Sequence, residues 1–328
     1  LGDRLNMRFN YFLANTDHLL TYQNLNYISG LGENWSNGGS LRNQGFDLTL
    51  IGKVLATKDF QWELGASVGH YKNKITSLAG GRTSFDTNLY GATIHSEVGQ
   101  AANLFYGYKT AGVFTTSEEA AEAGLYILGE NGVDRNYFGA GDMHFVDRDG
   151  DHQITEADRM VIGDPNPDLY GNIFTSLNYK RFRLDVNFNY SLGNDVYNYM
   201  RSQLEGGNRF LNQTTAMTTR WQTEGQVTTM PKATFQDPMG NSRFSDRWIE
   251  DGSYLRLKTV TLSYTLPLHS TFLQGLQFWI QANNLFTVTK YLGSDPEFTM
   301  TGNVLGQGID LGQLPQCRSF VAGVKVNL

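Results

Sequence analysis

The sequence predicts an all-β fold: a transmembrane antiparallel β-barrel wall of roughly nine or ten strands with long extracellular loops. Three observations point there. Apolar and polar residues alternate with period two in segment after segment. These segments run to about ten residues, where globular strands average about five or six. The connections between them are very unequal.

The elements follow in chain order. Leu5, Met7, Phe9, Tyr11 and Leu13 alternate with Asn6, Arg8, Asn10 and Phe12. Gly45 to Val54 reads as the next strand. Phe60, Trp62, Leu64, Ala66 and Val68 then alternate with Gln61, Glu63, Gly65 and Ser67. Phe105 to Phe114 and Asn172 to Tyr179 are further candidates. The clearest is Phe182 to Leu192, where Phe182, Leu184, Val186, Phe188 and Tyr190 face one way and Arg183, Asp185, Asn187 and Asn189 the other. Tyr254 to Leu266 follows. Leu276, Phe278, Ile280 and Ala282 then alternate with Gln277, Trp279, Gln281 and Asn283, and the chain closes on Phe320, Ala322, Val324, Val326 and Leu328. Successive side chains point to opposite faces of a strand, so each segment has a greasy and a polar face. A soluble sandwich also alternates. Strand length, with aromatics near strand ends (Tyr11, Tyr71, Tyr179, Tyr190, Tyr264), favours lipid outside and water inside.

Lys180-Arg181 makes a tight turn, and Leu268 to Gly275 is a short link. Leu78 to Asn103, Thr115 to Asp168, Met200 to Ser253 and Lys290 to Gln316 are long. Outer-membrane barrels have short periplasmic turns and long extracellular loops, which places Lys180-Arg181 on the periplasmic side. Ser117 to Ala123 is the one convincing short helix, with Ser117 expected as its N-cap. Nine or ten strands would close alone only as a narrow barrel, and open edges cannot face lipid.

Composition excludes other classes. No apolar run approaches the ~18 residues of a membrane helix. The net charge of −6, without a basic cluster in the sequence, lacks the footprint of a nucleic-acid binder. One cysteine, Cys317, rules out an internal disulfide and a cysteine-rich metal site. The chain begins at Leu1 without a leader pattern, so a signal peptide is expected to be cleaved or to lie upstream. No nucleophile motif or phosphate loop stands out, and the expectation is that the protein is not an enzyme. Arg247, Glu250, Asp251 and Arg256 read as a structural ion-pair cluster at the lumen wall rather than as acid/base machinery. The six histidines, His18, His70, His95, His144, His152 and His269, show no ligand spacing.

One segment has metal-ligand spacing. In the twelve residues from Asp147 to Asp158, Asp147, Asp149 and Asp151 stand at positions one, three and five. The Gln153 carbonyl stands at seven, Thr155 at nine and Asp158 at twelve. Oxygen ligands at this spacing suit Ca2+. His152 stands where glycine normally makes the sharp turn, and Asp158 is shorter than the usual Glu. The competing reading is a solvated acidic loop held by Asx turns. Bound Ca2+ would be structural. Aromatics in or beside the long loops (Trp35, Tyr90, Tyr106, Tyr126, Tyr137, Phe138, Tyr197, Tyr199, Phe210, Trp221) are candidates for stacking on sugars, or for packing loops together.

Several blocks, in order, resemble the SusC/RagA family of TonB-dependent outer-membrane transporters. Gly107-Tyr108-Lys109-Thr110-Ala111-Gly112-Val113-Phe114 resembles a family strand. Gly141-Asp142 through Asp158-Arg159 to Ile162-Gly163-Asp164-Pro165-Asn166-Pro167 resembles its acidic block. Gly193-Asn194-Asp195-Val196-Tyr197-Asn198 and Ser245-Asp246-Arg247-Trp248-Ile249-Glu250-Asp251-Gly252-Ser253-Tyr254-Leu255-Arg256-Leu257-Lys258 match closely. Asn284-Leu285-Phe286, Tyr291, Asp295-Pro296-Glu297 and Pro315-Gln316-Cys317-Arg318-Ser319-Phe320 complete the series. Cys317 replaces the usual Pro and Leu328 a frequent terminal aromatic. The resemblance implies that residues 1–328 are the C-terminal part of a barrel of about 22 strands, with 141–159 a calcium-loop-like extracellular segment. The N-terminal half of the barrel and the plug through which TonB acts would be supplied from outside this sequence. It further implies the outer membrane of a Gram-negative, Bacteroidetes-like cell, outer-membrane lipid around the wall, a SusD-like surface lipoprotein as lid, and import of an oligosaccharide or peptide. A passive porin-type channel and a soluble calcium-stabilised β binding module are the alternatives.

Overall fold

The computed structural model describes residues 4–24, 30, 33–268, 275–298 and 304–327; the link expected after Leu268 falls outside them, as do His269 and Leu328. Eight strands form one antiparallel sheet: β1 (Leu5–Asn24), β2 (Glu33–Ala56), β3 (Phe60–Ser77), β4 (Leu169–Tyr179), β5 (Phe182–Leu192), β6 (Tyr254–Pro267), β7 (Gly275–Thr289) and β8 (Ser319–Asn327). Each pairs with its neighbours in chain order, so the sheet is an up-and-down meander. It does not close on itself. Among the described residues β1 and β8 pair on one side only.

Among the described residues the wall has eight strands rather than nine or ten, because Phe105 to Phe114 does not join it. That stretch splits into Leu104–Gly107 and Thr110–Val113, which enter two separate small sheets. Gly107 lies so close to Phe244 that a Cβ would sit 2.7 Å from its carbonyl oxygen, and Gly112 takes φ +121°. Both features suit a crossing of loops better than a regular ladder.

Cross-strand register turns the alternation into two continuous surfaces. On one face, Phe60, Tyr179, Phe182, Tyr264 and Phe278 form a row across β3 to β7 at the short-turn end. Toward the loop end, Tyr11, Phe46 and His70 form a second row across β1 to β3. Between the rows lie Met7, Leu50 and Ala66, Phe9, Leu48 and Val68, and Leu184, Leu262 and Ile280. Ten residue steps separate Phe60 from His70 on β3, about 33 Å of strand, or about 25 Å of height at a barrel tilt near 40°. These apolar side chains are exposed or half-buried, with Met7 at 62 % and Ile280 at 58 %. A shallow groove on this face, lined among others by Phe182, Leu262, Tyr264, Phe278, Ile280 and Val324, is mostly apolar. A surface this large and greasy needs a nonaqueous neighbour.

The opposite face is polar. Glu63, Ser176, Asp185, Thr261 and Gln281 stand in one row, and Thr49, Ser67, Asn172, Asn189 and Arg256 in another. Four aromatics on this face lie over a glycine directly opposite: Phe12 on Gly45, Phe174 on Gly65, Tyr170 on Gly69 and Trp279 on Gly323. The missing Cβ lets each ring lie flat against the sheet, keeping bulk out of the lumen. Gly65→Val is expected to lower barrel stability by about 1–3 kcal/mol through overpacking against the Phe174 ring. The urea midpoint of the heat-modifiable band checks this. Gly52→Ala, with no atom nearer than 3.9 Å to the new methyl, should leave it unmoved.

Tyr71 turns to the polar face and meets Asn166 and Tyr170 instead of joining the lipid-side row. The two-residue turn holds Lys180 at φ +54°, and its N–H bonds the Asp59 carbonyl in the adjoining turn at 2.8 Å. At the other end the long connections fold into a cap of small sheets. One contains Ser84–Leu89, Ala92–Glu97, Leu104–Gly107 and Met160–Gly163, and another Asp195–Asn198, Ile249–Asp251 and Ile309–Asp310. The dry cores lie in this cap. One gathers Phe114, Phe138, Met143, Phe145 and Ile154; the other Ile94, Phe105, Tyr197, Trp248 and Ile309. Helix α1 (Ser117–Ala123) starts as expected, but its N-cap is Thr116, whose hydroxyl accepts the Glu119 N–H at 3.1 Å. Ser117 is the first helical residue and binds Glu224 instead.

Candidate functional site

The acidic loop is built into the first cap core. Tyr126 pairs with Gln153 in a parallel bridge, exchanging backbone bonds with His152 O at 3.0 Å and Ile154 N at 2.9 Å. Ile154 is buried in the core, which anchors the loop's exit. This bridge leaves the N–H and C=O of Gln153 itself on the loop side. Gly150 and His152 both take left-handed backbone, at φ +79° and +62°. His152 thus adopts the turn usually left to glycine, and its Nδ1 lies 3.2 Å from the Ala123 carbonyl at the end of α1.

Within that turn the carboxylates of Asp147, Asp149 and Asp151 converge, one oxygen from each lying within 4.8 Å of the others. Asp147 accepts the N–H groups of Gly150 and His152 at 2.7 and 2.8 Å, and Asp151 that of Gln153 at 2.7 Å. Burial pushes the Asp147 carboxyl up, but those two N–H bonds outweigh it and hold the group below the usual carboxylate range. Asp149 is pushed above that range by loss of hydration, and also by Asp151, Asp158 and Asp147. Three like charges in one turn, with oxygens at this spacing, match a hard cation's donor set. Asp158 is fully buried. Its oxygens accept the N–H of Arg148 at 2.8 Å and of Thr155 at 2.7 Å, clamping both ends of the loop. The Thr155 hydroxyl accepts the Ala157 N–H. The six expected positions therefore fall into a converging trio, the turned-in amide of Gln153, and two residues that close the loop.

Arg247, Glu250, Asp251 and Arg256 do not form a single cluster. Arg201, on α2 (Tyr199–Leu204), joins Glu205 at 2.8 Å and Glu250 at 2.9 Å. Arg247 lies over the Trp248 ring at 4.2 Å and donates to the Glu205 carbonyl. Burial, aided by nearby Arg201, pulls its guanidinium down to about 10. Asp251 caps its own turn through the Ser253 N–H. Arg256 joins Asp295 and Glu297, which also holds Lys258. Asp246 accepts the N–H and hydroxyl of Thr110. The motif from Ser245 to Lys258 is thus a joint at which several loops are tied to the wall. Sequence reasoning missed the pairs of Arg201 with Glu250 and Arg256 with Asp295 because the partners lie 49 and 39 residues apart, whereas Arg201 and Glu205 stand at i and i+4, a helix spacing that the sequence itself offers.

The loop aromatics divide. Tyr126, Phe138 and Tyr197 are buried in the cap, and Trp221 packs on the first core. Tyr106 stacks on His95 at 4.4 Å, and Tyr90 meets Tyr199 edge to face. Tyr137 is exposed, and Phe210, 89 % exposed, stacks on Phe235. The Trp35 side chain lies outside the described residues.

No protein-family profile matches the chain. Curated relatives do. TonB-dependent receptor P3 of Formosa agariphila is 30 % identical over 337 residues, covering 99 % of this chain and 32 % of that protein. TonB-dependent receptor SusC of Bacteroides thetaiotaomicron is 28 % identical over 311 residues, covering 88 % of this chain and 27 % of that protein. The RagAB peptide importer in its closed-closed state superposes with a TM-score of 0.77 at 25 % identity, over 98 % of this chain and 33 % of that one. Along almost its whole length the chain is similar to TonB-dependent receptors of the SusC/RagA type. This SusC/RagA-type chain spans about a third of the length of the curated relatives first matched. Its meander is therefore a segment of a transmembrane β-barrel, with the greasy face toward lipid and the polar rows toward the lumen.

Proposed function

We propose that this chain is the C-terminal part of the wall and extracellular cap of an outer-membrane importer. In the whole protein a plug links the barrel to TonB, a SusD-like surface lipoprotein covers the mouth, and an oligomeric nutrient passes through. The carrying observation is the lipid-type outer band, edged by the aromatic row from Phe60 to Phe278, on a chain similar along almost its whole length to importers. RagAB is a peptide importer, which favours peptide over glycan as the cargo class. Binding, gating and release suffice for this work. The test is uptake by cells carrying the complete protein, with labelled oligopeptides and oligosaccharides compared. TonB-dependent accumulation of peptide is expected. Equal flux without TonB would favour a porin-type channel, and extraction without detergent a soluble module.

We further propose that the loop from Asp147 to Asp158 holds a structural Ca2+, with Asp147, Asp149, Asp151 and the Gln153 carbonyl as ligands. Thr155 and Asp158 would shape and close the site. Bound there, the ion supplies charge neutralisation that ties the loop to α1 and the 126–137 hairpin. Asp149→Asn is expected to weaken Ca2+ binding by roughly tenfold or more, through loss of one ligand charge. Asp149 is exposed and accepts only one long bond, 3.3 Å from the Asp151 N–H, so stability without calcium should barely change. Calorimetric titration and melting in chelator check both arms. Unchanged calcium binding in the variant would assign the loop to Asx turns alone.

A further inference from the structure

The outer face of the wall carries one polar feature that the import reading does not use. Beyond the row of Tyr11, Phe46 and His70, the next outward positions toward the loops are Leu13, Gln44 and Lys72, then Asn15, Arg42 and Lys74. Arg42 stands directly opposite Lys74, with Lys72 one outward position below. All three are exposed. Arg42 donates from Nε to Asn15 Oδ1 at 3.0 Å, and neither it nor the two lysines has a carboxylate partner among the described residues. Some cations elsewhere are paired, Arg183 with Asp185, Arg201 with Glu205 and Glu250 and Lys232 with Asp142; what marks this group is that its like charges are set side by side on neighbouring strands. The nearest acid on β1, Asp17, sits at a bulge and makes no ion pair. Asp47 belongs to the lumen face, and His70 lies against the Asp168 carbonyl and the Phe46 ring.

Like charges directly opposite on neighbouring strands repel, so this pair is unfavourable unless an anion lies between them. Its place is specific: one and two outward positions past the apolar band, about 7 and 13 Å along the strands, on the long-loop side. The lumen-side residues between these cations are pinned, Tyr71 and Asn73 both bonding Asn166 and Asn73 also accepting the Ala102 N–H. The backbone presenting Lys72 and Lys74 is therefore held in place before anything binds.

We propose that Arg42, Lys72 and Lys74 bind the phosphorylated headgroup of a lipid in the outer leaflet. The guanidinium fork suits a phosphate bidentately and the ammonium groups serve as point charges. Acyl chains attached to that phosphate lie along Phe9, Phe46, Leu48 and Val68, so a phosphate carried on lipid gains contacts that free phosphate lacks. The inference rests on the membrane part of the import reading and not on the cargo.

The test uses the complete transporter, purified in detergent and stripped of lipid, with bisphosphorylated lipid A, its dephosphorylated form and inorganic phosphate as probes in native mass spectrometry. Wild type should retain bisphosphorylated lipid A. The triple variant Arg42→Gln, Lys72→Gln, Lys74→Gln should hold it roughly a hundredfold more weakly. Lys72→Arg with Lys74→Arg should keep binding, and the dephosphorylated form should bind both proteins alike. Equal affinity in the triple variant overturns the site, as does displacement of the lipid by millimolar inorganic phosphate. Heat-modifiability shows that each variant is a folded barrel. A wild-type protein stable without detergent would instead remove the membrane reading itself.

Discussion

Asp295→Ala is expected to destabilise the junction of cap and wall by about 3 kcal/mol, because buried Arg256 keeps Glu297 but loses its other carboxylate. Arg256 is 2 % exposed and Asp295 6 %. Besides Arg256, Asp295 accepts the N–H of Glu297 at 2.8 Å and of Gln316 at 2.9 Å, so it also fixes the two loop segments that approach β8. Burial pushes this carboxyl up, but Arg256 and the two N–H bonds prevail and hold it below its ordinary value. A lowered folded-state value means that Asp295 contributes stability above the unfolded-state value of about 3.9 and loses it as pH falls through the folded value. Wild type should therefore lose this contribution only in strong acid, and Asp295→Ala should lack it at every pH. Thermal unfolding in detergent from pH 7 downward measures both. Replacing the pair together, Arg256→Met with Asp295→Leu, should recover most of the loss. A single variant as stable as wild type would show that the ion pair is hydrated and idle.

Trp248→Ala should remove a comparable about 3–5 kcal/mol, but from the cap rather than the wall. Trp248 is 1 % exposed at the centre of the second core. Its Nε1–H donates to the Arg243 carbonyl at 3.1 Å, and Arg247 and Arg201 lie 4.2 and 5.8 Å from its ring. The alanine variant leaves a cavity and removes the ring face beside two partly buried guanidinium groups. Limited proteolysis should then cut the loops between β5 and β6 while the heat-modifiable wall persists. Trp248→Phe, which keeps an aromatic face and loses only the N–H, should be milder. Equal protease resistance in the alanine variant would show that the cap does not depend on this core.

The acidic loop shows how far sequence spacing carries. The positions of Asp147, Asp149 and Asp151 suffice to predict that their oxygens can meet, because a twelve-residue turn leaves few alternatives. The same reading counted His152 against the loop, yet the residue takes the left-handed turn, with its ring beside the last turn of α1. Asp158 was expected at the twelfth ligand place; its burial and its bonds to Arg148 and Thr155 depend on how the loop meets the cap. Ion-pair partners were harder to foresee. Glu250 and Arg201 are 49 residues apart, and no local pattern connects them.

By itself the sequence determined the strands of the wall, Phe105 to Phe114 wrongly counted among them, and which of their faces is greasy, because a period of two is a local property of the backbone. Boundaries fell short where the pattern turned polar: β1 and β2 continue to Asn24 and back to Glu33, well past Leu13 and Gly45. The sequence also shows no basic cluster, since Arg42 and Lys74 stand 32 residues apart; the β2–β3 register alone sets them side by side. Tertiary structure decided the strand count, the paired glycines and aromatics, the cap's two cores and the ion-pair joint. Each of these depends on which residue a partner strand or loop brings opposite, and that is settled by register and chain crossing, which local sequence does not encode.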